Sequence, residues 1–139
     1  MSFDKLLSGT VIRYPYLWAR EALKGETEGR KSRPAAVGVR VARPDGDVLL
    51  LFPITSKEPS RTVFAAEIPE TEKRRTGLDG NMRLWIILDE YNQDFAGGSF
   101  YLEPGPPLGR FSKAFFLPLM KQAIARRSAA IGVSRRLDG

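Results

Sequence analysis

Apolar and polar positions along this chain fall into short blocks with the two-residue period of strands, separated by polar joints rich in glycine and proline. "GTVIRY", residues 9 to 14, predicts a first short strand. From 35 to 41 the alternation is regular. Ala35, Val37, Val39 and Val41 share one face and Ala36, Gly38 and Arg40 the other, so a strand with one buried face is expected. "RPDGD", 43 to 47, predicts a turn, because Pro44 presets φ and Asp45-Gly46 supports a tight hairpin. "VLLLFPIT", 48 to 55, is continuously apolar, the pattern of a central strand covered on both faces. "TVFAAEI", 62 to 68, and "LWIIL", 84 to 88, predict two more strands.

Helical signals are fewer. A long polar connection, "LWAREALKGETEGRKSR", runs from 17 to 33, and its "WAREALK" portion can form a turn or two of helix. "PETEKRRTG", 69 to 77, predicts one short helix: Pro69 at its start, Glu70 and Glu72 in the first turn, Lys73, Arg74 and Arg75 in the last, and Gly77 beyond. Pro118 is expected to open a C-terminal helix with Leu119/Ala123 and Met120/Ile124 as its apolar stripe. Residues 91 to 110 read as loop, with "SFYLE" able to pair at an edge, and 128 to 139 as a flexible tail. Joints this short favour antiparallel pairing. The expected fold is mainly β: one domain over residues 1–139, a small bent antiparallel barrel with a short internal helix and a C-terminal helix.

Composition narrows the chemistry. The 139 residues suffice for one core, and no stretch approaches the roughly 18 apolar residues of a membrane span. "MSFDKLLSG" lacks a long apolar segment, so no secretory leader is expected, and the absence of cysteine suits a cytoplasmic protein. Histidine is absent as well. Ser-His and Cys-His nucleophiles and His/Cys metal clusters are thereby excluded, which leaves Asp, Glu, Lys, Tyr and Arg for acid–base work. The net charge of +6 favours polyanions or an acidic protein as partner.

Four stretches occur in a telling order: "GTVIRYPYLWARE", "EGRKSRPAAV" with an Arg-Pro pair entering a strand, "LLLFPITS", and "WIILDEYNQ" ending in acids and an Asn. Together they resemble the PemK/MazF family of toxins from toxin–antitoxin systems. The resemblance implies an SH3-like barrel, a homodimer, metal-independent endoribonuclease activity on single-stranded RNA without cofactor, and neutralisation by an acidic antitoxin. It also implies site residues: Arg33, of the Arg-Pro pair, and Thr55, at the end of the following strand. A guanidinium matches phosphate oxygens bidentately, so Arg33 is expected to stabilise transition-state charge first and to donate a proton second. The general base is expected to be Glu90, with Asp89 and Glu28 as alternatives. Arg30, Lys31, Ser56, Lys57, Asn92 and Trp18 are expected to contact RNA.

Structural roles compete with each assignment. Pro at the first position of a strand needs no function, and Thr55 and Ser56 can simply start a turn. Asp89, Glu90 and Asn92 can end a strand, and Trp85 reads as core. The basic residues Lys121, Arg126, Arg127, Arg135 and Arg136 can be a solvated face. Two other functions are compatible with such a barrel: a protein-gripping toxin like the topoisomerase poison CcdB, and a nucleic-acid-binding module without chemistry.

Overall fold

The computed structural model describes residues 6–27, 29, 31–96, 99, 101–102 and 105–135. The fold is mainly β, a curled sheet that closes part-way into a barrel. Its strands are β1 (Thr10–Tyr14), β2 (Arg33–Val41), β3 (Val48–Thr55), β4 (Ala65–Glu67), β5 (Trp85–Ile87), β6 (Glu90–Phe95), β7 (Gly109–Arg110) and β8 (Ile131–Ser134). The helices are α1 (Ala19–Ala22), α2 (Glu70–Arg75) and α3 (Lys113–Ala125). Among the described residues no helix is long and apolar enough to cross a membrane.

The apolar run of β3 makes it the hub. One edge pairs with β2; the other pairs with β6 over Val48–Leu51 and with β5 at Ile54 and Thr55. The sheet therefore divides along a single strand, and the chain crosses between the two halves at Leu88 and Asp89. Two apolar clusters lie on opposite faces of β2 and β3. Ala36, Phe52 and Ile54 pack with Ile86, Phe111, Phe116 and Met120, while Ala35, Val37, Leu49 and Leu51 pack with Tyr14, Tyr16, Trp18 and Tyr101. Both faces of β2 are thus buried over 35–38, not one as its alternation suggests. Gly38 is small because the Phe52 ring fills its side-chain space: a Cβ there would lie 2.2 Å from Cε2.

Several elements differ from the sequence pattern. The strand expected from 62 begins at Ala65, because Ser60 and Thr62 bond side chain to side chain and Val63 N–H closes a turn on the Ser60 carbonyl. The segment read as loop contains β6, whose Asn92 and Asp94 are buried and hydrogen-bonded. No strand forms at Ser99, Tyr101 and Leu102. The expected flexible tail is also corrected: a 3-10 turn at Arg127–Ala129 leads into β8, which pairs in parallel with β6, and Arg135 is buried. Residues 136–139, with Arg136, lie outside the described residues.

Helix α3 starts before Pro118, which lies inside it. Ser112 is the N-cap: its Oγ accepts from Phe115 N–H at 3.2 Å. Glu72 of α2, itself buried, accepts from Ser112 N–H at 2.9 Å and Oγ–H at 2.7 Å, placing a carboxylate at the positive end of the helix. Ser112→Ala removes the cap and one of these bonds. It is expected to cost roughly 1–2 kcal/mol in denaturant unfolding, and an unchanged midpoint would show the cap to be dispensable.

Candidate active site

The antiparallel register that pairs Ala35 with Pro53 leaves Arg33 and Thr55 at the adjoining ends of β2 and β3, each two residues beyond that pair. Trp85 of β5 lies across from Thr55, and Tyr14 of β1 across from Arg33. Beyond β5 the chain turns through Asp89 into β6, so Glu90 arrives at the same corner. Arg33, Thr55, Asp89 and Glu90, with Trp18, Arg20 and Lys57, line one cleft of about 750 Å³.

Each group is held differently. Glu90 Oε1 accepts from Ala19 N–H at 2.9 Å and from the Tyr16 hydroxyl at 3.0 Å. Burial raises the Glu90 pKa above the ordinary glutamate value, and those two bonds only partly oppose it. Thr55 Oγ1 accepts from Lys57 N–H at 3.1 Å, so it does start a turn, yet its hydroxyl proton stays free for a further acceptor. Asp89 is tied more loosely, accepting from Phe64 N–H at 3.3 Å.

Arg33 is half-buried, and its Nε has no hydrogen-bond partner. Its guanidinium carbon lies 5.2 Å from the centre of the Trp18 ring, and that of Arg20 lies 4.8 Å from the same ring. Burial chiefly lowers the Arg33 pKa; the nearby Glu21 carboxylate raises it and the Arg20 charge lowers it. The site thus holds a half-buried cation whose Nε is shut away from solvent while the residue lines the cleft, so a bound anion would offset the cost of its burial.

Two expected RNA contacts take other roles. Asn92 is fully buried and cannot reach a ligand: its Oδ1 accepts from Leu17 N–H at 2.8 Å and its Nδ2 donates to the Leu17 carbonyl at 2.7 Å. Arg135 adds a third bond, donating from Nη1 to Asn92 Oδ1 at 3.0 Å. Trp18 lines the cleft but is 7% exposed, with Tyr16 at its edge and two guanidiniums against its ring. It is a support for Arg33 rather than an open stacking platform. Lys57 lines this cleft, whereas Lys31 and Ser56 line a neighbouring one. Arg30 and Glu28 lie outside the described residues.

Arg20, like Glu58, is a charged cleft residue that sequence reasoning missed. Its only local signal is adjacency to Trp18 in a polar stretch, which many solvated arginines share. No family model, curated protein or solved structure matches this chain.

Proposed function

We infer that this chain is a PemK/MazF-type toxin that cuts single-stranded RNA. The observation that carries the reading is a half-buried arginine that shares its cleft with a threonine and with a carboxylate of raised pKa. In the proposed reaction Glu90 takes the proton of a ribose 2′-hydroxyl. The 2′-oxygen then bonds to the adjacent phosphorus, the P–O5′ bond breaks, and a 2′,3′-cyclic phosphate and a 5′-hydroxyl result. Arg33 faces the charge that grows on the phosphoryl oxygens and, secondarily, gives the leaving 5′-oxygen its proton. Thr55 donates its hydroxyl proton to a phosphoryl oxygen. The same reading gives the SH3-like barrel, a homodimer and an acidic antitoxin as partner.

The test is purified protein in EDTA with end-labelled single-stranded RNA. Discrete cuts with cyclic-phosphate ends support the proposal; no cleavage across diverse RNA by folded protein overturns it. A protein-gripping toxin is then the better reading, favoured by the exposed Leu117 and Ile124 on α3.

The pH profile gives a second check. A base works only when ionised, and the raised Glu90 pKa moves the loss of its carboxylate to higher pH than an ordinary glutamate of about 4.3. Cleavage should therefore rise with pH through a group above that value. Glu90→Gln keeps an acceptor oxygen for Ala19 and Tyr16, and it should remove this acid limb and lower the rate by roughly a hundredfold. An intact limb in the variant would assign the base elsewhere, with Asp89 next.

A further inference from the structure

Arg33 and Thr55 line a second cleft of about 490 Å³ on the other side of their ridge. The size lies within the roughly 300–1,000 Å³ of small-molecule sites. The two clefts differ in charge. The first brings together Arg20, Arg33 and Lys57 with Glu58, Asp89 and Glu90, an even balance. The second brings together Arg13, Lys31 and Arg33 against Asp79 alone. Its walls also carry apolar surface from Pro34, Ile54 and Leu84, and Met82 and Leu108 are exposed large apolar side chains at the same cleft.

We propose that this second cleft is a nucleotide subsite, in which Arg13 and Lys31 hold the phosphodiester next to the one at Arg33 and an unstacked base lies against Met82 and Leu108. Exposed apolar surface beneath a net positive rim fits a base joined to phosphate better than an inorganic anion or an apolar peptide. The shared ridge also means that a strand lying in both clefts passes over Arg33 and Thr55. Register fixes Arg13 on the sheet rather than on a loop: it pairs with Pro34, so its side chain lies on the face opposite to that of Arg33, which pairs with Tyr14, and the second cleft meets Arg33 and Thr55 from that other face. The inference deepens the nuclease reading and rests on it for the identity of the strand.

The test separates binding from cutting. A fluorescein-labelled deoxyoligonucleotide lacks the 2′-hydroxyl and cannot be cut by the proposed reaction. Its affinity is measured by anisotropy across a salt series. The variants are Arg13→Ala/Lys31→Ala and a charge-matched control, Arg43→Ala/Lys113→Ala, all four positions being exposed and the control pair lining neither cleft. Loss of two phosphate contacts should lower the slope of log affinity against log salt by about 1.4, and affinity by roughly tenfold, while the control keeps the wild-type slope. On RNA the first variant should raise KM and leave kcat unchanged. A first variant indistinguishable from the control, or a wild type that binds no oligonucleotide, overturns the subsite. Binding that depends on Arg13 and Lys31 without any RNA cleavage keeps the subsite and overturns the nuclease reading.

Discussion

Arg33→Ala is expected to lower single-turnover RNA cleavage by roughly two to three orders of magnitude, the usual loss when a donor to a developing oxyanion is removed. The same variant should melt at the wild-type temperature or above. Arg33 is half-buried with an unmet Nε and a pKa lowered mainly by burial, so its charge is held against a cost in the free protein. Alanine relieves that cost and leaves the strand register untouched. Arg33→Lys separates charge from shape: it keeps the cation but loses the planar fork, and is expected to recover only a small part of the rate. Wild-type cleavage by Arg33→Ala, measured with melting as the control for folding, would sink the site assignment.

The second large effect concerns stability. Asn92→Ala deletes three hydrogen bonds at a fully buried position: it strands the Leu17 N–H and the Leu17 carbonyl and leaves Arg135 Nη1 with the Pro15 carbonyl alone. Each stranded buried group costs roughly 1–3 kcal/mol, so a total near 3 kcal/mol is a conservative expectation. For a domain of this size that is a melting temperature lower by about 10 °C. The oxygen and the amide are both needed, because Asn92 accepts and donates on the same backbone unit. Asn92→Asp should therefore also destabilise, losing the donor and adding a buried charge. An unchanged melting temperature with weakened RNA binding would restore the ligand role that the sequence suggested.

The contrast between Asn92 and Thr55 shows where sequence reasoning succeeds and where it stops. The run through Val48–Thr55 announces a two-faced strand by its apolarity alone, and the Arg-Pro and Pro-Ile-Thr-Ser junctions sit at ends of paired strands. Their shared register is not legible in the sequence, because a bulge between Val37 and Val39 shifts the pairing of β2 with β3 by one residue. The six residues of β6, "EYNQDF", look like loop because its buried side chains are satisfied by hydrogen bonds instead of apolar contact. Asp94 accepts from the Tyr14 hydroxyl at 2.6 Å, and burial with that carboxylate drives the Tyr14 pKa well upward. Nothing in the sequence near Asn92 or Asp94 names partners some 75 to 80 residues away. β8 hides for a different reason: four residues beside a basic stretch carry too little apolar signal to outweigh their neighbours. The start of α3 is hidden because Pro118 is the louder mark, although Ser112, with Glu72 behind it, does the capping.

Arg135 donates to the carbonyl of Pro15, across 120 positions of chain, as well as to Asn92, and its guanidinium lies 3.8 Å from the Tyr101 ring centre. Residues 15–22, which carry Trp18, Arg20 and Glu21, thus receive one of their anchors from the far end of the described chain. During synthesis at roughly 5–20 residues per second, the sheet around β2 and β3 can assemble many seconds before that anchor exists. A ribosome-bound chain halted before residue 135 would already possess Arg33 and Thr55 on neighbouring strands but lack the last support of the segment that steadies Arg33. Completion of this cleft therefore has to wait until residue 135 has been made, well after Arg33 and Thr55 are in place.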